Sequence, residues 1–512
     1  MILTYQDFEK ADDKADFVMR AIAWHKQTDA YKTAKVADEY DAQRNTTITN
    51  VVRTIYDAQG VQVEDYTVSN NKIASNFFNR LNTQRCMYSL GNGVSFIDPY
   101  EAAERALRDT TKERLGKHFD HVLRECAYHA LIHGRSYLFW NVDEVYEFKM
   151  TEFVAILDEY DASLRAGVRF WRLDDTKPLN AVLYEEDGYT KFRSDEDGKL
   201  LLTEKKRAYK TTYEYTEAGD VLYTNEENYT RLPIVTVYAS RLRQSTLVGM
   251  RDAIDAYDLI MSGFANDLND CAQIYWIVEN YGGMDDSDLS EFLDKLKLNH
   301  IANVDTTSGG KVTPYVQDVP TASRESFLTD LKRRIYDDFG ALDVHEISAY
   351  STNDLIDAAY QPLDEQAADF EHWISDAIVS LLSLMGIEDT PLFQRDRVSN
   401  QYEQVQSVLI EAPYLDRATI LRKLPNLTPD DVQLVLNSEE TELAMEQLRA
   451  GVQTAVAQSR LQMEAADAGQ GANGAGGSEG SAVPQQEKVS EVVSEEDGSG
   501  RGRQRRRYDN VQ

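Results

Sequence analysis

The chain is short of the residues on which cross-linking, nucleotide chemistry and membrane insertion depend. It has three cysteines, Cys86, Cys126 and Cys271, set in helical or apolar surroundings with no paired spacing. That excludes a disulfide frame or a cysteine zinc site and predicts small buried hydrophobes of a reducing compartment. No GxxxxGK[ST] occurs, so the chain lacks a phosphate loop, and any ATP-driven work falls to a partner. No run of about 18 apolar residues occurs, so no membrane-spanning helix is expected. The first residues, MILTYQDFEKADDK, carry acids where a signal peptide needs Lys or Arg and then an apolar run, which predicts a soluble cytoplasmic protein. Basic residues are also scarce. There are 54 Lys and Arg against 87 Asp and Glu, a net charge of −33. This argues against a broad basic surface that grips nucleic acid, but not against an acidic wall that DNA slides past.

What is present is enough apolar residue, 42% of 512, for two or three domains with real cores. The chain is organised around Ser245 to Tyr275, where Leu247, Met250, Ile254, Tyr257, Met261, Phe264, Leu268, Cys271 and Tyr275 alternate spacings of three and four. That pattern puts all nine on one stripe of a helix on the order of 45 Å long. The opposite, wet face is expected to carry Arg251, Asp252, Asp255, Asp258, Asp267 and Asp270. Gly249 and Gly263 weaken such a helix without forbidding it.

The first 50 residues read as helical, including Thr28 to Arg44. Ser69 to Phe96 reads as a helix with Ile73, Phe77, Leu81 and Leu90 on its apolar face, ending at Gly91. From Arg135 to Ser240 the period shifts towards two, with acidic turns at 185–188, 195–198 and 217–220, predicting one meandering antiparallel sheet. Beyond the long helix, short strands flank a small helix from Asp285 to Leu298, a compact α/β insertion. A second helix follows over 322–339, with Phe327, Leu331, Ile335 and Phe339 every four residues and Arg324, Lys332 and Arg333 exposed. The next helix runs from about Asn353 to Met385 and contains Pro362, where a kink or break is expected. Further helices are expected over 400–411, 417–424 and 429–457. From about 465 the chain is too poor in apolar residues to bury anything and reads as disordered, closing on an Arg-rich stretch at 501–507.

Three segments in collinear order, SNNKIASNFFNRLNTQRCMYSLGNGVSF, LPIVTVYASRLRQSTLVGMRDAIDAYDLIMSGFANDLND and TILRKLPNLTPDDVQLVLNSEETE, resemble the portal proteins of tailed bacteriophages. The nearest type is that of a headful-packaging Bacillus siphovirus. The most specific stretch is Ser245, then IDAYD at 254–258, then Ser262, Asn266 and Asp267. The resemblance implies an α+β portal fold in a ring of twelve copies, or thirteen when isolated. Its expected parts are a wing (1–240), stem helix 1 (241–273), clip (274–320), stem helix 2 (321–340), tunnel loop (341–352), kinked wing helix (353–394), helical crown (395–464) and disordered tail (465–512).

It further implies a stem interface between copies at Leu247, Met250, Ile254, Tyr257, Met261, Phe264, Leu268, Phe327, Leu331 and Ile335. Asp343, Val344, His345, Glu346, Ser348, Tyr350, Ser351 and Thr352 would face DNA, and Tyr281, Asp285, Asp288, Lys295, Lys311 and Tyr315 would lie in the region meeting terminase. The implied partners are other copies of itself, the terminase large subunit, major capsid and scaffolding proteins, a head-completion adaptor and double-stranded DNA. The implied location is the virion's portal vertex, with the host cytoplasm during assembly. No cofactor and no enzyme activity are expected.

Two other readings stand beside it. Glu125, His129 and His133 fall at i, i+4 and i+8 of one helix and could hold a metal in an enzyme, although Ala130 stands where a metalloprotease motif has Glu. A coiled-coil scaffold would explain the heptad-like stripe but not the sheet region.

Overall fold

The computed structural model describes residues 3–437, except 57–59, 65–68, 99–107, 216–220, 272–274, 280–310, 316–320, 344–352, 396, 398–400 and 426, together with 451, 453–454 and 456–459. Four helices open the chain, Tyr5–Glu9, Lys14–Gln27, Asp29–Asp41 and Thr46–Thr49. Each starts where a short polar side chain, Thr4, Asp13, Thr28 or Asn45, accepts a first-turn N–H. Those donors have no partner inside the helix, which is why such residues set its start.

The helix Lys14–Gln27 lays Phe17, Val18, Ala21 and Ile22 on a five-stranded antiparallel meander of Phe153–Leu157, Leu164–Trp171, Asn180–Glu185, Gly188–Ser194 and Leu200–Arg207. Its 185–188 turn is as tight as the sequence implied. Gly188 sits at φ +136°, and a Cβ there would meet the Arg207 carbonyl at 2.2 Å, so only glycine fits.

The expected single sheet is in fact three. Ser136–Asn141 pairs with Glu144–Lys149 on one side and Ile234–Val237 on the other, while Lys210–Tyr215 and Val221–Glu227 form a separate hairpin. Alternation tells which face a residue takes but not which strand it meets. The central strand, SYLFWN, is buried nearly throughout because the helix Phe119–His133 and Phe370, Ile374, Ile378, Leu381 and Leu382 of the helix Asn353–Leu384 share its core.

The helix expected from Ser69 begins only at Phe77 and ends at Leu90 before Gly91. Residues 69–76 carry no regular secondary structure, so Ile73 is not on its apolar face. The helices Leu247–Cys271 and Thr321–Phe339 are joined through the paired strands Tyr275–Glu279 and Lys311–Tyr315. The expected strand at 301–304 and helix at 285–298 lie outside the described residues. The helix Asn353–Leu384 runs through Pro362 without a break. Ile356, Tyr360, Leu363 and Ala367, on both sides of the proline, are held in one core cluster with Tyr88 and Leu342. Gln401–Glu411, Arg417–Lys423 and Pro429–Asn437 follow as three helices. In the second compact unit, Glu439–Gln512, the residues described at 451–459 are helical. The tail from 465 is outside the described residues.

One buried base sets an acid limit on the N-terminal layer. His25 Nε2 lies 2.8 Å from the Met150 carbonyl, and burial pushes the imidazole down to about 4. The folded state holds it neutral, so its contribution is present above the unfolded value near 6.5 and is lost as pH falls from 6.5 towards 4. That shift is worth on the order of 3 kcal/mol. We expect the urea midpoint to fall across this window, with less of a fall in His25→Asn.

Candidate functional site

Two helices meet at the centre of the chain. Leu247, Met250 and Ile254 share a buried cluster with Ile335, Tyr336 and Phe339, floored by Phe77, Phe78 and Leu81. Towards the other end, Arg324 forms an ion pair with Asp267 and lies 5.8 Å from the Phe264 ring centroid. The shared cluster of 247–254 with 335–339 and the ion pair of 267 with 324 make the two helices antiparallel.

The structure divides the residues expected at the stem interface by burial. Leu247, Met250, Ile254 and Ile335 are buried in the chain itself, while Tyr257, Met261, Phe264 and Leu331 are half-buried. Leu268 and Phe327 are 48% and 52% exposed. For Phe327 the reason is geometric. Each step of four residues overshoots a helical turn by about 40°, so three steps from Phe339 carry it roughly 120° off the core line. Leu328 is buried instead. Arg324 and Lys332, expected exposed, are half-buried and paired: Lys332 Nζ lies 2.6 Å from Asp343 Oδ2, which raises the lysine's pKa.

The supposed wet face holds a larger correction. Asp258 is buried, as are Ser262 and Asn266. These three, at i, i+4 and i+8, bind alternate N–H groups of the preceding segment. Ser75 N–H donates to Asp258 Oδ1 at 2.9 Å, Ile73 N–H to Ser262 Oγ at 3.0 Å, and Asn71 N–H to Asn266 Oδ1 at 2.6 Å. The spacings match: four helical residues rise about 6 Å and two extended residues about 6.6 Å. Helix side chains thus replace the neighbouring strand that an extended segment would otherwise need. Asn45 completes the clasp, its Nδ2 donating to Asp255 Oδ1 and Asp258 Oδ2, each at 2.9 Å. Burial raises the Asp258 carboxyl, with the Ser75 and Asn45 donors opposing.

Of the segment expected to face DNA, Asp343 is described and tied to Lys332; Val344, His345, Glu346, Ser348, Tyr350, Ser351 and Thr352 lie outside the described residues. Of the clip residues, Lys311 and Tyr315 sit opposite Glu279 and Tyr275 in the strand pair. Tyr281, Asp285, Asp288 and Lys295 lie outside the described residues. Sequence reasoning missed Gln84, Arg85 and Tyr88, which reach from the 77–90 helix to the residues before and after that segment. Their i, i+1, i+4 spacing on one helix was the available signal.

The histidine helix has a different role from the one weighed. His129 Nδ1 lies 2.8 Å from Glu147 and His133 Nε2 2.6 Å from Asp38, each carboxylate on another element, and the two rings stack at 5.5 Å. Glu125 is exposed. Burial alone would raise Asp38, but the hydrogen bond and charge of His133 outweigh it and hold the carboxyl below its usual range. The first ties this helix to the strand Glu144–Lys149 and the second ties it to the helix Asp29–Asp41. Among the described residues no three His, Cys, Asp or Glu converge as a metal site, and no helix is long and apolar enough to cross a membrane.

Known proteins share this chain's pattern over most of its length. The family model described as phage portal protein, SPP1 Gp6-like, matches residues 21–450. The portal protein of Clostridium phage phiCD119 is 26% identical over 394 residues, covering 71% of this chain and 83% of that protein. The portal protein of Bacillus phage SPP1 is 24% identical over 419 residues, covering 76% and 80%. Portal proteins are structural and sit in the virion at the capsid vertex. With its α+β architecture and central helix pair, the chain belongs to the SPP1 Gp6-like family of phage portal proteins.

Proposed function

We propose that the chain assembles into a ring of twelve copies whose central channel passes double-stranded DNA during packaging and ejection. In this reading 247–271 and 321–339 are the stem and 274–320 is the clip that meets the terminase large subunit and later the head-completion adaptor. Residues 341–352 face DNA, and 395–464 form the crown. Capsid and scaffolding proteins surround the ring, and assembly takes place in the host cytoplasm. The observation that carries this is that Leu268 and Phe327 stand 48% and 52% exposed on helices otherwise packed within the chain. Apolar residues left uncovered on a regular rod suit a heterologous contact that closes into a ring. Gly249 and Gly263 agree, because a Cβ at either would meet nothing within 4 Å in the chain itself.

The test is the mass of the purified protein with micrographs of the same sample. Rings of about twelve 58.2 kDa copies with a central hole are expected. A doubly substituted Leu268→Asp, Phe327→Asp protein should stay monomeric with unchanged circular dichroism. Intact rings in that variant would refute the stem contact.

A further inference from the structure

A cavity of about 450 Å³ opens where the helices 77–90, 247–271, 321–339 and 353–384 meet. Its walls bring together two features that each attract negative charge. The first is the N-terminus of the 25-residue helix Leu247–Cys271, since Ser245, Thr246, Gly249 and Met250 line the cavity. Ser245 Oγ accepts the Leu247 N–H at 3.1 Å, and the Thr246 N–H donates to the Leu131 carbonyl at 3.1 Å, so this end is fixed in place. The aligned peptide dipoles give it a partial positive charge.

The second feature is Arg85, which lines the same cavity and is 7% exposed. Its Nη2 donates to the Phe339 carbonyl at 2.6 Å, and the guanidinium lies 4.0 Å from the Phe339 ring centroid. These contacts satisfy it only in part. Nε is buried with no acceptor, and among the described residues no carboxylate forms an ion pair with the guanidinium. Burial pushes its pKa down to about 10 against the pull of Asp369, so it stays cationic at neutral pH. The two carboxylates that line the cavity, Asp338 and Asp369, are both exposed, and Asp338 is already paired with Arg334 at 3.3 Å. A buried charge with no partner at close range is costly to the chain that carries it.

We propose that this cavity receives an aspartate or glutamate side chain of a second copy of the chain, whose carboxylate pairs with Arg85 beside the N-terminus of the 247–271 helix. The proposal rests on the ring reading and names a residue class that one copy supplies to the next. A free ion would leave apolar surface bare around it. Leu242 is 65% exposed and Val248 56%, and nothing lies within 4 Å of where a Gly249 Cβ would sit, so a protein surface suits this rim better. The row of phosphates on DNA would meet the exposed Asp338 and Asp369. A single carboxylate is repelled less, and its two oxygens match the guanidinium fork. With 87 Asp and Glu against 54 Lys and Arg, a second copy offers carboxylates in excess.

The test is Arg85→Met in the full-length protein. Methionine keeps an apolar stem and removes a charge that a lone copy leaves unanswered. Separated copies should therefore melt at the parental temperature or higher. Rings, followed by mass over a dilution series, should come apart at a concentration about tenfold higher or more. A residue that only holds its own chain together would lower both. The partner is read from Arg85→Lys rings assembled from light- and heavy-isotope copies and treated with a carbodiimide, where position 85 should be joined to an Asp or Glu peptide of the other label. Links within one label only, rings indifferent to Arg85→Met, or a fall in both ring formation and melting overturn the proposal. If inorganic phosphate raises the melting temperature of unsubstituted copies but not of Arg85→Met, and both form rings equally, the occupant is a free anion and the proposal falls. An unsubstituted protein that forms no rings refutes the ring reading and this occupant together.

Discussion

Asp258→Asn should destabilise the protein nearly as much as Asp258→Ala, by about 2–4 kcal/mol, although the asparagine keeps the size and one carbonyl oxygen. The reason lies in Asn45. Its Oδ1 is committed as the acceptor for Thr47 N–H at 2.9 Å, Ile48 N–H at 3.3 Å and the Tyr40 hydroxyl at 3.0 Å. The amide therefore cannot turn over, and its Nδ2 must find an acceptor at 258. An asparagine there can give Ser75 its oxygen only by setting its own NH2 against that donor. Alanine leaves the Ser75 N–H and one of the two Asn45 Nδ2 hydrogens unpaired, the other staying on Asp255. Only a carboxylate meets both, even though burial raises its pKa. By that shift its contribution is greatest below the unfolded value near 3.8 and declines as pH rises through the folded pKa. Urea unfolding of both variants at pH 7 checks this; an asparagine variant matching the parent would show that Asn45 can rearrange.

Gly167→Val should prevent the five-stranded sheet from forming, with a loss of about 3–5 kcal/mol and little soluble protein on expression. Gly167 stands opposite Ala155, and the Phe153 ring lies diagonally over it: a Cβ would meet Phe153 Cζ at 2.1 Å. That ring is fully buried, packs at a tilt against Tyr137 at 4.4 Å and stacks with Phe148 at 5.6 Å, so it has nowhere to go. Gly167→Ala should show the same defect more mildly, and a compensating Phe153→Leu should restore part of the loss. Near-ultraviolet circular dichroism and melting temperature separate these cases; a Gly167→Val protein with parental melting would mean that the ring moves freely.

The elements were legible in the sequence wherever one periodicity held for several turns. The stripe from Leu247 to Tyr275 gave the long helix, although it ends at Cys271 and Tyr275 opens a strand, and the segment from Thr28 read as helical. What could not be read was partnership. Asp258 looked like one more wet carboxylate because its donors, Asn45 and Ser75, lie some 180 to 210 residues away along the chain. The partners of His129 and His133 were out of reach of the sequence because Glu147 and Asp38 are supplied by the fold. Phe327 was placed on one stripe with Leu331, Ile335 and Phe339 because a four-residue repeat resembles a stripe until its drift is added up. The resemblance of IDAYD and of Ser262 and Asn266 to portal proteins identified the family, but not the reason for those residues, which is a grip on residues 71–75.

That grip has a practical consequence. The strands Thr54–Tyr56 and Gln62–Glu64 form a hairpin whose stem is closed on both sides. Asn45 is bonded to the 247–271 helix before it, residues 71–75 to the same helix after it, and the Lys72 ammonium to the Val51 carbonyl across its root. Gly60, at φ +76°, has nothing within 4 Å of where a Cβ would sit. A fluorophore or short peptide tag grafted between Gly60 and Val61 would hang from a closed root, reporting on single assembled particles without loosening the body that carries it.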